Sequence, residues 1–328
     1  MSPLPAPADV TEPRAVIVSR YGPPVLDAFA EGVLAEYDGD VAVEISATPP
    51  VGPGIVGLAV APPNRLTAAD LAALPDLRVL VAPSSGVDHI AEALAPAAEA
   101  GVVAAYTPGY CDVEVADHVI ASVAMLLRAI PRAEQALRSG VWNSRATRAR
   151  RVTGATIGIV GLGRIGRLVL ARASALGMRA RVWAPRTRPE VIRELGGEPF
   201  ESLPELLAAV DVVTLHVPMA EATRGIIGAA ELAAMRPGSY LVNTGRGELV
   251  DLDALRHALE SGRLAGAALD VFDVEPLPAD HPARSLPNTV LTPHMAWISP
   301  EAEYESFRMA GRAVAAVLGG RRPAHVIA

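Results

Sequence analysis

Thr156-Ile-Gly-Ile-Val-Gly-Leu-Gly-Arg-Ile-Gly-Arg167 is an apolar run ending in three glycines spaced G-x-G-x-x-G. It reads as a strand, a tight turn and a helix start. Gly161 permits the turn, Gly163 lets a pyrophosphate approach the backbone, and Gly166 lets a helix, Arg167 to Leu176, pack against the strand with its N-terminus aimed at phosphate oxygens. The motif alone is weak. Here β-branched residues precede it, an amphipathic helix follows, and a second strand, Arg179 to Ala184, comes next, which is the context a dinucleotide site requires.

The end of that second strand bears on which dinucleotide. An NAD site usually has Asp or Glu there, roughly 20 residues past the first glycine, to accept hydrogen bonds from the ribose hydroxyls. This chain has Ala184, followed by Pro185-Arg186-Thr187-Arg188. Two guanidiniums thus stand where a 2′-phosphate would lie, and guanidinium matches phosphate geometry. The reading is NADP, with NAD use left open.

Outward from the motif, β-type runs alternate with helical ones. Before it come Ala15 to Ser19, Gly57 to Ala61, Leu77 to Ala82 and Val102 to Tyr106. In the second half come Ile157 to Gly161, Arg181 to Ala184, Asp211 to Pro218, Tyr240 to Thr244, Ala267 to Phe272 and Thr289 to Leu291. Such alternation predicts parallel sheets with helices on both faces. The fold class is therefore α/β with two doubly wound parallel-sheet domains, a flavodoxin-like substrate domain and a Rossmann cofactor domain. The expected division is residues 1–108 plus 295–328 for the first and 109–294 for the second, with the last helix, Glu301 to Leu318, returning to the first domain.

Composition narrows the partners. The chain has 328 residues, 51% of them apolar, and a formal charge of −7, which argues against nucleic acid because phosphate neutralisation needs a basic face. The cluster Arg145, Arg148, Arg150 and Arg151 is read as an exposed connecting loop or a subunit contact. Met1 to Pro13 is rich in Pro and Ala without a signal pattern, so a short disordered leader is expected. The longest apolar helix candidate, Val119 to Ile130, is interrupted by Arg128 and stopped by Pro131, which predicts a buried helix and no membrane span. With Cys111 alone there is no intrachain disulfide, and a packed thiol in a cytoplasmic protein is expected. No metal-ligand cluster stands out.

Ligands of open α/β sheets bind at the carboxyl ends of the strands, so the residues just past each strand matter most. Four places stand out: Pro83-Ser-Ser-Gly-Val-Asp-His89, whose N–H groups at Ser85, Gly86 and Val87 could form an anion nest; Gly245-Arg246-Gly247; Asp273-Val-Glu275-Pro276; and Thr292-Pro-His294. One Arg, one Glu and one His suit hydride transfer to an α-keto acid. Arginine binds the carboxylate and polarises the ketone, histidine protonates the oxygen that gains charge, and a carboxylate bonded to such a ring favours its protonated form and fixes its orientation.

Asn243-Thr-Gly-Arg-Gly247, Ser261-Gly-Arg-Leu-Ala-Gly-Ala-Ala-Leu-Asp-Val-Phe272, Glu275-Pro276 and Leu291-Thr-Pro-His294, with Gly86-Val-Asp88 and Val115-Ala-Asp-His118, resemble the signatures of the D-isomer-specific 2-hydroxyacid dehydrogenases. That resemblance covers nearly the whole chain. It implies Arg246, Glu275 and His294 as the catalytic three. It implies Thr244 and Asp270 on the nicotinamide carboxamide side and His216-Val217-Pro218 and Thr223 along the cofactor groove, with Arg164, Ile165 and Gly245 also binding the cofactor. The Ser85 to Val87 backbone would hold the substrate carboxylate. The family's usual assembly is a dimer through the nucleotide domains.

Departures from the family pattern bear on substrate. Ala82-Pro-Ser-Ser85 lacks the arginine of phosphoglycerate dehydrogenases, and Glu275 stands where formate dehydrogenases have glutamine. Trp297 is similar to a tryptophan of the C-terminal-binding-protein corepressors and could wall a pocket for an apolar side chain. Arg186-Thr187-Arg188 is similar to NADPH-using glyoxylate/hydroxypyruvate reductases. The expectation is a cytoplasmic NADPH-dependent 2-ketoacid reductase, a homodimer acting on glyoxylate, hydroxypyruvate or a related small acid. A cofactor-sensing interaction protein and a phosphite dehydrogenase are the alternatives.

Overall fold

The structure is a computed structural model that describes residues 10 and 12–327. Most of the expected leader, Met1 to Pro13, lies outside the described residues. The chain divides into two compact units, one holding the chain up to Cys111 together with the segment from Ile298 onward, the other Asp112–Trp297.

The first unit contains β1 (Arg14–Val18), β2 (Ala42–Ser46), β3 (Ile55–Val60), β4 (Val79–Ala82) and β5 (Val103–Tyr106), all parallel, in the order β2-β1-β3-β4-β5. This is the flavodoxin-like order. Alternate residues feed opposite faces. Ala15 and Ile17 enter one apolar cluster, and Val16 and Val18 the other. The helix Pro300–Leu318 belongs to this unit and runs against the helix Pro23–Leu34; Gly311 lies so close that a Cβ there would stand 2.2 Å from the Phe29 carbonyl oxygen.

The second unit contains β6 (Thr156–Val160), β7 (Arg179–Trp183), β8 (Glu198–Pro199), β9 (Val212–Leu215), β10 (Ser239–Asn243), β11 (Leu264–Leu269) and β12 (Thr289–Leu291). Its parallel sheet runs β12-β11-β10-β9-β6-β7-β8. Counted from β6, that is the Rossmann order 3-2-1-4-5-6 with one strand added beyond the sixth. Ile157 and Ile159 face one cluster and Val160 the other, so β6 is buried on both faces, as continuous apolar runs in parallel sheets require.

The two strands that the sequence pattern does not pick out, β2 and β8, are both sheet edges. β2 exposes Ala42, Glu44 and Ile45, and β8 has two residues, neither buried. β2 carries Glu44 in its middle and β8 is only Glu198-Pro199, so no apolar run marks either, whereas the edge strands β5 and β12 carry readable ones. Conversely, the run expected as Ala267 to Phe272 pairs only to Leu269, although Val271 is 2% exposed and Phe272 9%: these side chains are buried without strand pairing. The segment Val119 to Ile130 falls in the helix Asp112–Leu127, which buries one face only, and Pro131 opens the next helix, Ile130–Arg138. Among the described residues no helix is long and apolar enough to cross a membrane.

Candidate active site

Parallel strands bring all their carboxyl ends to one edge. Along that edge of the second unit lie, in order, Thr292–His294 after β12, Asp270 after β11, Thr244–Gly247 after β10, His216–Pro218 after β9, the glycine turn after β6, and Ala184–Arg188 after β7.

His294 Nδ1 stands 2.6 Å from Glu275 Oε2, and Glu275 Oε1 accepts the Phe272 N–H at 2.9 Å. Burial alone would push the Glu275 carboxyl up. The hydrogen bond and charge of His294, the Phe272 N–H and the nearby Arg246 guanidinium outweigh it and hold the carboxyl below its ordinary value. An ionised Glu275 requires the proton on His294 Nδ1, which leaves Nε2 as the ring nitrogen that Glu275 does not engage. Arg246 Nη1 donates to the Gly245 carbonyl at 2.8 Å.

His294 has φ +52°, a left-handed conformation uncommon for a residue with a side chain. Its backbone is held from below. His294 N–H donates to the Asp270 carbonyl at 2.7 Å, and the Asp270 carboxylate accepts the Thr292 hydroxyl at 2.5 Å and the Met295 and Ala296 N–H groups, each at 2.9 Å. Asp270 is 1% exposed. Because the Thr292 hydroxyl spends its proton on Asp270, it can accept from His118 Nε2, 3.3 Å away. Trp297, half-buried, closes this segment and ends the unit.

Gly161 has φ +96°, and a Cβ there would lie 2.6 Å from the His216 carbonyl oxygen; one at Gly166 would lie 2.4 Å from the Gly161 carbonyl oxygen. Beside Gly163 nothing lies within 4 Å of a Cβ position. The turn is therefore packed on two sides and open on the third, where the helix Arg164–Ala175 begins. Thr244 Oγ1 is buried with no hydrogen-bond partner among the described residues. An open cradle at a helix N-terminus and an unspent hydroxyl on the same strand edge fit a dinucleotide's phosphates and carboxamide. Arg164 Nε is tied to Asp112 Oδ2 at 2.7 Å, with Ile165 half-buried beside it. The Thr223 hydroxyl is spent within its own turn on Pro218 and Ala220, and Val217 is half-buried. Burial pushes the His216 ring down to about 4, and Thr214 Oγ1 lies 3.0 Å from its Nε2. Thr187 N–H donates to the Ala184 carbonyl at 2.8 Å, which folds the loop so that Arg186 and Arg188 flank it, both exposed and neither paired with a carboxylate among the described residues.

In the first unit, the N–H groups of Ser85, Gly86 and Val87 donate to no acceptor among the described residues, while the Ser84 hydroxyl closes the loop on the Gly86 carbonyl at 2.6 Å. The loop is a nest of unspent donors.

Three arrangements escape sequence reasoning. Asp211 takes Arg150, which is thus not a solvated loop arginine: its Nη2 lies 2.6 Å from Asp211 Oδ1, and Arg145, Arg148 and Arg151 alone stay exposed. His281 Nδ1 accepts the Ala283 N–H, so its Nε2 donates to Asp273 Oδ1 at 3.1 Å and closes the loop that carries Glu275. Asn243 braces the Arg246 turn. Each pairs residues far apart or uses a side chain that reads as strand or loop filler.

The sequence profile of the D-isomer specific 2-hydroxyacid dehydrogenase NAD binding domain matches residues 120–296. The chain belongs to that family. Within the family, the chain is 36% identical over 264 residues to a glyoxylate reductase of Thermofilum pendens, covering 79% of this chain and 77% of that protein. It is 35% identical over 251 residues to a D-3-phosphoglycerate dehydrogenase of Methanocaldococcus jannaschii, covering 76% of this chain and 47% of that one. An NADPH-dependent glyoxylate/hydroxypyruvate reductase from Sinorhizobium meliloti, solved with citrate, superposes with a TM-score of 0.81 at 29% identity, covering 97% of this chain and 98% of that one. The chain is thus an NAD(P)-dependent 2-hydroxyacid dehydrogenase with two parallel-sheet domains.

Proposed function

We propose that this dehydrogenase reduces a small unphosphorylated 2-keto acid, of the glyoxylate or hydroxypyruvate kind, to the D-2-hydroxy acid with NADPH. The observation that carries the reading is the His294–Glu275 pair at 2.6 Å, with Arg246 on the next strand end but one. NADPH supplies the hydride when bound. The chain's own groups do the rest. Glu275 holds the proton donor at His294 Nε2, which protonates the carbonyl oxygen as charge develops on it. Arg246 pairs with the substrate carboxylate and polarises the ketone. The unspent N–H groups at Ser85, Gly86 and Val87 suit a carboxylate oxygen, and Trp297 walls the side chain. In this reading the unit up to Cys111 with the segment from Ile298 onward is the substrate domain, and Asp112–Trp297 the cofactor domain.

Gly161, Gly163, Arg164, Ile165 and Gly166 would hold the pyrophosphate, Thr244, Gly245 and Asp270 the carboxamide end, and His216, Val217, Pro218 and Thr223 the groove between. The unpaired guanidiniums of Arg186 and Arg188, with Thr187, favour a 2′-phosphate, and Ala184 repels none. The absence of arginine from Ala82-Pro-Ser-Ser85 favours an unphosphorylated substrate over a phosphoglycerate-type one. The exposed side chains of Ile130, Leu137, Val141 and Trp142, the last 89% exposed, favour a homodimer, and we read the protein as cytoplasmic.

Steady-state absorbance of the reduced nicotinamide tests this, with NADPH and NADH each run against glyoxylate, hydroxypyruvate, pyruvate and 3-phosphohydroxypyruvate. Turnover of the first two with NADPH preferred is expected. Preference for the phosphorylated acid, or for NADH, overturns the corresponding part.

A further inference from the structure

Asn243 ends β10 with 1% of its surface exposed, and its side chain spans the turn that presents Arg246. Oδ1 accepts the Gly245 N–H at 3.0 Å and Nδ2 donates to the Arg246 carbonyl at 2.8 Å. Only an amide does both at this length: a carboxylate cannot donate, a serine hydroxyl is too short to span, and alanine leaves both backbone groups unpaired in the interior. The other side of the turn is fixed by contact. A Cβ at Gly247 would stand 2.0 Å from the Phe272 carbonyl carbon, so the turn presses directly on the backbone that donates to Glu275. Arg246 itself is extended, at φ −142° and ψ 146°, between these two supports.

We infer that Asn243 is a positioning residue for Arg246: its amide sets the turn from which the guanidinium meets a 2-keto acid, without touching substrate itself. The inference rests on the reading of Arg246 given above. An arginine reaching from an unbraced Gly-Arg-Gly turn would sample many positions. Braced by Asn243 and by the Phe272 backbone, the guanidinium starts from one backbone geometry beside Glu275 and His294, and orientation of this kind governs rate steeply.

A double-mutant cycle on the full chain with NADPH and glyoxylate tests it, using Asn243→Ala, Arg246→Ala and both together. Asn243→Ala should lower kcat/KM for the keto acid by about 10- to 100-fold, with NADPH affinity by fluorescence changed less than about threefold. In the Arg246→Ala background the same change should cost less than about threefold more, because the group it positions is gone. Multiplicative losses, or no effect of Asn243→Ala in the parent, overturn the inference while leaving the functional reading intact. Parent-like turnover of Arg246→Ala overturns that reading instead. If Asn243→Ala fails to bind NADPH, the cycle is run with Asn243→Ser; loss of NADPH binding in both makes Asn243 a folding residue and also overturns the inference.

Discussion

The two ends of the seven-stranded sheet are built from the same residue types and spend them differently. At the amino ends, Asp211 before β9 accepts the Thr156 N–H and hydroxyl, each at 2.8 Å, Arg150 Nη2 at 2.6 Å and Arg236 Nη1 at 3.0 Å. Its carboxylate is saturated, and the Thr156 hydroxyl also accepts the Asp211 N–H at 3.0 Å. At the carboxyl ends, the Thr244 hydroxyl is buried without a partner among the described residues, His294 sits at φ +52°, and Arg186 and Arg188 pair with no carboxylate among the described residues. A polar knot whose groups satisfy one another stabilises; polar groups left unspent or held in an unfavoured conformation await a ligand. The contrast is between single knots rather than whole edges, since Ser239 Oγ at the start of β10 is also buried without a partner among the described residues and Asp270 at the carboxyl edge is satisfied. The Asp211 knot stabilises, and the unspent carboxyl-end groups suit the proposed chemistry.

The largest effect that would break the contrast belongs to His294. Replacing it with Ala should lower kcat for the keto acid by about 10³-fold, with the urea midpoint nearly unchanged, since the side chain is partly exposed. Retained turnover would move the proton donor elsewhere.

Asp211→Ala should do the reverse. It leaves Arg150, Arg236 and the Thr156 N–H without their acceptor, so urea unfolding should show a loss of about 3 kcal/mol, while kcat at 25 °C stays near the parent's. A fall in kcat without a fall in stability would refute the division. The pH dependence sharpens it. Burial would push the Asp211 carboxyl up, but the Thr156 N–H, the Arg150 guanidinium and the Thr156 hydroxyl together lower it below 3.8. A lowered carboxyl stabilises above its unfolded value and loses that contribution as pH falls through the folded one. Stability measured downward from pH 4 should therefore drop more steeply in the parent than in Asp211→Asn.

Replacing Arg186 and Arg188 together with Ala should raise the KM for NADPH by about 10- to 100-fold, the loss of one or two charge-assisted hydrogen bonds, and leave that for NADH nearly unchanged. Equal effects on both cofactors would make the pair a general electrostatic feature.

The effect at His216 is confined to acid pH. Its ring titrates near 4 instead of 6.5 because burial disfavours the charged form. A lowered histidine contributes stability that is complete above about 6.5 and is lost as pH falls toward 4. His216→Gln should flatten the stability profile across that window; an unchanged slope would mean that the ring is hydrated in solution.

The glycine turn, the buried strands on either side of it and the residues that follow each strand were legible in order, because a parallel sheet buried on both faces writes itself as apolar runs and places its functional groups just past their ends. The edge strands β2 and β8 were not, since Glu44 breaks the apolar run of one and the other is only Glu198-Pro199. Arg150 reads as one more arginine in a basic loop, yet it crosses 61 positions to Asp211. Asn243 reads as the start of a motif, and only the turn shows its amide bonded at both ends.

By itself the sequence determined what depends on neighbours along the chain: the strand–turn–helix at Thr156 to Arg167, the alternation that makes two α/β units, and an Arg, a Glu and a His each just past a strand. Tertiary structure decided what depends on partners distant in sequence. It set the strand order that lines those three along one edge, the ionised Glu275 against His294 Nδ1, and the left-handed His294 that Asp270 holds from 24 residues away. Covalent spacing fixes local conformation, but hydrogen-bond saturation and burial are properties of the packed whole, and they decide which polar groups, such as Asp211, are spent and which, such as Thr244, are not.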